Sequence, residues 1–239
     1  MGELGMLEDF LAGARVDPAV FALQPDYRAL LLAVDGLEPG PSDGASDALL
    51  RAAETAAIEA LHERPVDQLP HVAAWRETYR AFGAKPQRTR NSLEALVRRA
   101  GSGLPRVNRL TDIYNAISVL HQVPLGGEDL TRYAGSPRLV RATGDEPFDT
   151  TADGGEVIEH PEAGEVVWRD EAGVTCRRWN WRQGRRTQLR DHTTTALFIL
   201  DALEPMTDAA LHAAADGLAA ELDRFGPDVR VARRLVAGG

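Results

Sequence analysis

The sequence predicts an α+β fold, on two observations. Segments of helical and of strand periodicity follow one another irregularly, without the regular alternation that builds a doubly wound parallel sheet. The helical segments crowd the stretch before residue 124, whereas strand-like runs crowd residues 138–200. With 239 residues, 44% of them hydrophobic, the chain can bury a sizeable core, and residues 1–239 are read as a single domain.

The run Asp26–Val34 (DYRALLLAV) is almost wholly apolar and closes on Asp35-Gly36 and a Pro/Gly-rich loop, which predicts a buried strand. Asp43 or Ser46 can then cap a helix to about Glu63, because Leu49, Leu50, Ala53, Ala57, Ile58 and Leu61 recur at helical spacing. A shorter helix over Val72–Phe82 stops at Gly83, and Lys85-Pro86 opens an extended basic loop. Asn91-Ser92 caps the next helix, Leu93–Ala100, which Gly101-Ser102-Gly103 ends. Val107–Gln122 is again helical, with Leu110, Ile113, Ala116, Ile117 and Leu120 on one side. Beyond Pro124-Leu125-Gly126-Gly127 the period changes to strands: Arg138–Thr143, Glu165–Arg169, Val174–Trp181 and Thr194–Leu200. A helix over Asp208–Arg224 and a strand over Val229–Val236 follow.

Glu3, Glu8 and Asp9 stand where a secretory signal needs positive charge, and no apolar run approaches the roughly 20 residues of a membrane span. A cytoplasmic protein with no membrane partner is expected. The single cysteine, Cys176, excludes an internal disulfide and a cysteine-based zinc cage, and reads as a buried structural thiol. Six histidines are scattered without metal-ligand spacing, so neither a metal nor another cofactor is expected.

Charge is strongly polarised. Between Arg76 and Arg109 nine basic residues meet only Glu77 and Glu94, and Arg177–Arg190 adds six arginines with no acid, in a chain of net charge −9. Such segregation suits a phosphate-rich partner, although the same runs could be solvated faces paired with distant acids. In an alternating strand Trp179 and Trp181 share one face, with Arg178, Asn180 and Arg182 on the other. The preferred orientation turns the polar set to a ligand and the tryptophans to the core. On the helix before residue 122, Asp112 and Asn115 lie three apart and face a common direction, with Asn108 a further turn away.

These blocks resemble a known family. Lys85-Pro86 with Arg88–Glu94 (RTRNSLE), Leu104–Ala116 (LPRVNRLTDIYNA), Leu125–Asp129 (LGGED), Arg178–Gly184 (RWNWRQG) and Thr193–Leu197 (TTTAL) are similar to the tRNA-editing B-three/B-four domain of the bacterial phenylalanyl-tRNA synthetase beta chain. The likeness covers about residues 79–203. It implies a three-layer α+β arrangement with a β-sandwich-like core flanked by helices. It also implies a free-standing deacylase acting in trans on misacylated tRNA, with the aminoacylated end of tRNA, or a free amino acid, as partner. Asn108, Asp112 and Asn115 would be the catalytic set. Gly126, Gly127, Glu128, Arg178, Asn180, Arg182 and Gln183 would bind substrate, and Lys85, Arg88, Arg90, Arg106, Arg185 and Arg186 would hold RNA. The bulkier, more polar Trp179–Gly184 run departs from the synthetase pattern and no acidic residue follows Gly184 before Asp191, so tyrosine specificity does not transfer.

Ester hydrolysis needs a positioned water and donors for the developing oxyanion, which Asn amides and the Gly126-Gly127 backbone can supply. No GxSxG, P-loop or HExxH motif occurs. His192 is a better candidate base than His121, and both fit ordinary packing or surface roles. A non-catalytic tRNA or amino-acid binding module is the alternative reading, and a hydrolase or binder of an unrelated small molecule on the same fold is a third.

Overall fold

A computed structural model describes residues 2–238 of the chain. Its elements run α1 (Glu3–Ala12), β1 (Arg15–Val16), α2 (Pro18–Leu23), β2 (Arg28–Asp35), α3 (Gly44–Glu63), α4 (Pro70–Ala81), α5 (Ser92–Arg99) and α6 (Arg109–Leu120). There follow β3 (Leu125–Asp129), β4 (Arg138–Arg141), β5 (Phe148–Ala152), β6 (Gly155–Glu159), β7 (Val166–Arg169), β8 (Val174–Arg177), β9 (Arg182–Gln183), β10 (Ala196–Ala202), α7 (Asp208–Asp223) and β11 (Arg230–Ala237). The α+β expectation holds.

Seven strands form one sheet, ordered β1-β4-β7-β8-β5-β6 with β9 paired to β8, and four form a second, ordered β11-β2-β10-β3. β2 is apolar at consecutive positions because both its faces are covered. Ala29, Leu31 and Ala33 pack with Leu139, Trp168 and Cys176 of the larger sheet, while Leu30, Leu32 and Val34 pack with Leu110, Ile113 and Ile117 of α6 and Leu211 and Leu218 of α7. A further helical cluster joins α3, α5 and α6 through Leu50, Leu93, Val97 and Ala116. The result is sheet on sheet on helices, with α4 closing the edge of the first core through Trp75 and Tyr79.

The caps at Asp43 and Asn91 are as the sequence predicts, and Asn108, expected in the catalytic set, is a third. Asp43 accepts from the Ala45 and Ser46 amides while Ser46 Oγ accepts from the Asp43 amide, a reciprocal box that starts α3. Asn91 accepts from the Glu94 amide and Asn108 from the Thr111 amide, starting α5 and α6.

Three expectations are corrected. The Val174–Trp181 strand ends at Arg177, because Arg178 and Trp179 take left-handed backbone angles (φ 47° and 67°) and turn the chain. Backbone bonds from the Trp179 amide to Val166 O (2.7 Å) and from the Trp181 amide to Arg177 O (3.1 Å) hold this unfavourable turn in place. The basic loop after Lys85 is a tight turn, in which the Arg88 and Thr89 amides both bond Lys85 O at 2.8 Å. The Leu125–Asp129 segment is a strand, β3, in spite of its two glycines. A Cβ on Gly127 would stand 2.9 Å from both Phe198 and Tyr114, so only glycine admits the β3–β10 pairing here.

Candidate functional site

The two sheets separate beside α5 and α6 and leave a cavity of about 250 Å³. β3 and β10 supply one wall through Leu125, Gly126, Glu128, Ile199 and Asp201, and the larger sheet supplies Trp168 and Cys176. The turn after β8 contributes Trp179, Asn180 and Trp181, and β9 contributes Arg182 and Gln183. Ser92, Ala95 and Leu96 of α5 and Tyr114 and Asn115 of α6 complete the lining. The volume lies below the ~300–1,000 Å³ typical of pockets for drug-sized ligands, a scale suited to one small group.

Asn108, Asp112 and Asn115, expected to act together, are separated by what each already bonds. Asn108 caps α6, and its amide nitrogen reaches Leu189 O at 3.4 Å. Asp112 is fully buried and accepts from the Val107 amide (2.9 Å) and from Ser46 Oγ (3.2 Å), tying α6 to the preceding loop and to α3. Of the three only Asn115 lines the cavity, and its side-chain amide makes no hydrogen bond to another described residue. Asn108 and Asp112 anchor the start of α6, which leaves Asn115 of the set on the cavity side.

The expected substrate residues divide similarly. Gly126, Glu128, Asn180, Arg182 and Gln183 line the cavity, whereas Gly127 faces a neighbouring pocket with Thr150, Thr151 and Arg185. Gln183 donates from Nε2 to Gly127 O at 3.0 Å and stands between the two spaces. Asn180 is held between Tyr79 Oη (2.9 Å) and Asp201 Oδ2 (3.3 Å), and Tyr27 donates to Asp201 Oδ1 at 2.5 Å. Arg178 is turned away: it bonds Thr89 Oγ1 and lies 3.5 Å from Glu165, in a polar groove shared with Lys85 and Arg88. The expected two-faced alternation is therefore replaced by a turn, with Arg178 on the groove side and Asn180 and Trp181 on the cavity side. Trp179 is the buried anchor, 5.3 Å from Trp75 and 4.9 Å from Tyr27 by ring centroids, while Trp181 is only partly buried.

The basic runs are largely neutralised. Arg106 pairs with Asp47 and Glu54, Arg185 with Asp149 and Glu156, and Arg186 with Asp170, so these three expected RNA contacts already have carboxylate partners. Arg76 and Arg98 both bond the buried Glu94, and Arg177 bonds Glu165 through two nitrogens at 2.8–2.9 Å. Of the expected RNA set, Arg90 stands 3.9 Å from Glu94, while Lys85 and Arg88 are exposed without an ion pair among the described residues. The polarisation seen in sequence is thus mostly a local count, compensated by acids that the fold brings in from elsewhere.

Residues that the sequence reading missed are Ser92, Tyr114, Trp168 and Asp201. Asp201 had a signal, since it is the one charged residue of the apolar run Ala196–Ala202. Burial pushes the carboxyls of Glu128 and Asp201 up to about 7, against the hydrogen bonds that Tyr133 gives the first and Tyr27 and Asn180 the second. His71 lies outside the cavity, and burial holds its imidazole down at about 4 while it bridges Gln122 O and the Leu203 amide.

The raised carboxyl of Glu128 makes a stability prediction. The folded protein keeps a proton on Glu128 between its ordinary range and about pH 7, where the unfolded chain has released it. The contribution is therefore fully present at acid pH and is lost as pH rises through 7, by about 3 kcal/mol for a displacement of this size. Glu128→Gln cannot ionise, and urea unfolding at pH 5 and pH 8 should show a smaller loss for the variant than for the unaltered protein. Equal losses would mean that Glu128 is ionised throughout.

The B3/4 domain family matches residues 74–217, a span that contains every residue of the cavity and of the groove. No curated protein matches the chain. Among solved structures, an N-terminal fragment of the phenylalanyl-tRNA synthetase beta-subunit from Pyrococcus horikoshii is similar at 11% identity with a TM-score of 0.44. That similarity covers 93% of this chain and 49% of the other, so the chain spans about half the length of that fragment. No described helix is long and apolar enough to cross a membrane.

Proposed function

Because the chain belongs to the B3/4 domain family, we propose that its cavity receives the amino acid of an aminoacyl-tRNA and that the protein hydrolyses the ester. One observation carries this reading: a small cavity enclosed by two sheets and two helices, whose polar lining includes the Asn115 side-chain amide with no hydrogen-bond partner among the described residues. The uncommitted Asn115 amide is available to a carbonyl oxygen or a water. Lys85 and Arg88, which line the polar groove on the far side of the Arg178–Trp181 turn, would hold phosphate in this reading. In this reading Asn115 positions the ester or the attacking water, Glu128, Asn180, Gln183 and the Gly126 backbone shape the amino-acid site, and Asn108 and Asp112 hold α6 in place.

A second reading, a module that binds a tRNA end or a free amino acid without chemistry, is favoured by the engagement of Asn108 and Asp112, which leaves a single free amide of the expected set. Purified protein mixed with a panel of misacylated tRNAs separates the two. Release of the amino acid faster than spontaneous hydrolysis is the expected result. Binding with the ester left intact would select the second reading.

A further inference from the structure

The arginines around α5 keep a charge that the rest of the fold does not cancel. Arg76, Arg90 and Arg98 all face one carboxylate, that of the buried Glu94, at 2.7, 3.9 and 2.9 Å. One carboxylate balances one guanidinium, so the cluster keeps a net charge of +2. Arg99, in the last turn of α5, is exposed and has no ion pair among the described residues. The contrast is with Arg106 and Arg185, each of which meets two acids.

Helix geometry sets where this charge stands. α5 lines the cavity with Ser92, Ala95 and Leu96, and of these Ala95 is exposed, so the cavity opens to solvent beside it. The Ser92 amide donates to Asn180 O at 3.0 Å, which fixes the start of α5 to the turn that forms another wall. Residues four apart on a helix are neighbours, and long side chains lean toward its N-terminus. Arg98 does this, reaching back from Nε to Glu94 Oε1 at 3.0 Å. Arg99 has Ala95 at the same spacing, and an alanine offers it no acid. An unpaired guanidinium therefore stands one turn from the cavity mouth.

A cavity of about 250 Å³ has room for the amino acid of an ester and leaves the alcohol half outside. In an aminoacyl-tRNA that half is the terminal ribose, and the phosphates that precede it have to cross the rim. A guanidinium suits them, because its planar fork of donors matches the oxygens of a phosphate. In a protein of net charge −9 a polyanion is repelled over most of the surface, so a local excess of arginine beside the mouth also orients the strand. We infer that the basic edge of α5, made by Arg90, Arg98 and Arg99, holds the phosphates of the single-stranded RNA end whose amino acid enters the cavity, with Arg99 on the phosphate nearest the ester. This rests on the reading that the cavity receives the amino acid of an aminoacyl-tRNA.

Fluorescence anisotropy of a 5′-labelled RNA strand ending in CCA, not aminoacylated, tests it on the full chain. Arg99→Gln is expected to weaken binding about 5–10-fold at about 50 mM salt and to lower the slope of log affinity against log salt by about 0.7, the share of one phosphate on a single strand. Adding Arg98→Gln should lower the slope by about 1.4 in all. Arg99→Lys keeps the charge and should keep the slope. Arg224→Gln, at an exposed arginine of α7, should change neither quantity. Unaltered affinity and slope in Arg99→Gln, or an equal loss from Arg224→Gln, would overturn the role of α5 and leave the cavity reading standing. Binding that depends on Arg99, with no release of amino acid from misacylated tRNA, would support the role of α5 and select the module without chemistry. If the unaltered protein binds no RNA strand at about 50 mM salt, both readings fall together. Arg99 has no ion pair among the described residues to lose, so Arg99→Gln should keep its urea midpoint and report on binding alone.

Discussion

Arg177→Met is expected to destabilise the protein by about 3–5 kcal/mol, the usual cost of removing one partner of a buried ion pair. Arg177 and Glu165 are both buried, joined by two nitrogen–oxygen bonds, and Arg177 also bonds Glu159 at 2.8 Å. With the guanidinium gone, Glu165 keeps only the Arg178 amide at 3.2 Å and the Arg178 side chain at 3.5 Å. Replacing both partners, Arg177→Met with Glu165→Met, should restore most of the loss, since no orphaned charge then remains. Urea denaturation of the single and double variants measures this directly. Arg88→Glu is the contrast: Arg88 is exposed without an ion pair among the described residues, so stability should move by no more than about 0.5 kcal/mol while, under the proposed function, affinity for tRNA falls. A stable Arg177→Met protein would show that the second arginine run is not structural after all.

The second large effect separates Asn115 from Asp112. Under the proposed hydrolysis, Asn115→Ala should lower the rate of ester cleavage by about 10²-fold or more, as loss of a preorganised donor does, with the urea midpoint nearly unchanged. Asp112→Ala should instead destabilise by about 1–3 kcal/mol, because it strands the Val107 amide and Ser46 Oγ, and should affect the rate only as far as α6 loosens. Reversed behaviour, with Asp112→Ala stable but inactive and Asn115→Ala unstable, would return catalysis to the residue that the fold uses as an anchor.

Local chemistry carried much of this molecule. Helix starts at Asp43 and Asn91 were legible because a cap is a contact between neighbours in sequence. The buried strand at Arg28–Asp35 was legible because burial on both faces leaves no polar position. The family was legible too, since the blocks that carry it lie within the matched span 74–217. Short elements such as α2 and the β5–β6 hairpin were not, because their periods are too brief to stand out from loops.

Site composition was decided only by tertiary structure. Counting charge along the chain suggested a basic face, but Asp47, Glu54, Asp149, Asp170 and Glu165 arrive from distant segments and cancel most of it. Alternation placed Arg178 with Asn180, but two left-handed residues turn the chain and send them to different spaces. Sequence alone determined which residues cap, which strands are buried and which family the chain joins, because these depend on neighbours and on composition. The pairing of Asp201 and Glu128 across one cavity depends on strand order, and the freedom of Asn115 beside a committed Asp112 depends on what packs against α6. Both are properties of contacts between segments far apart in the chain, on which local periodicity carries no information.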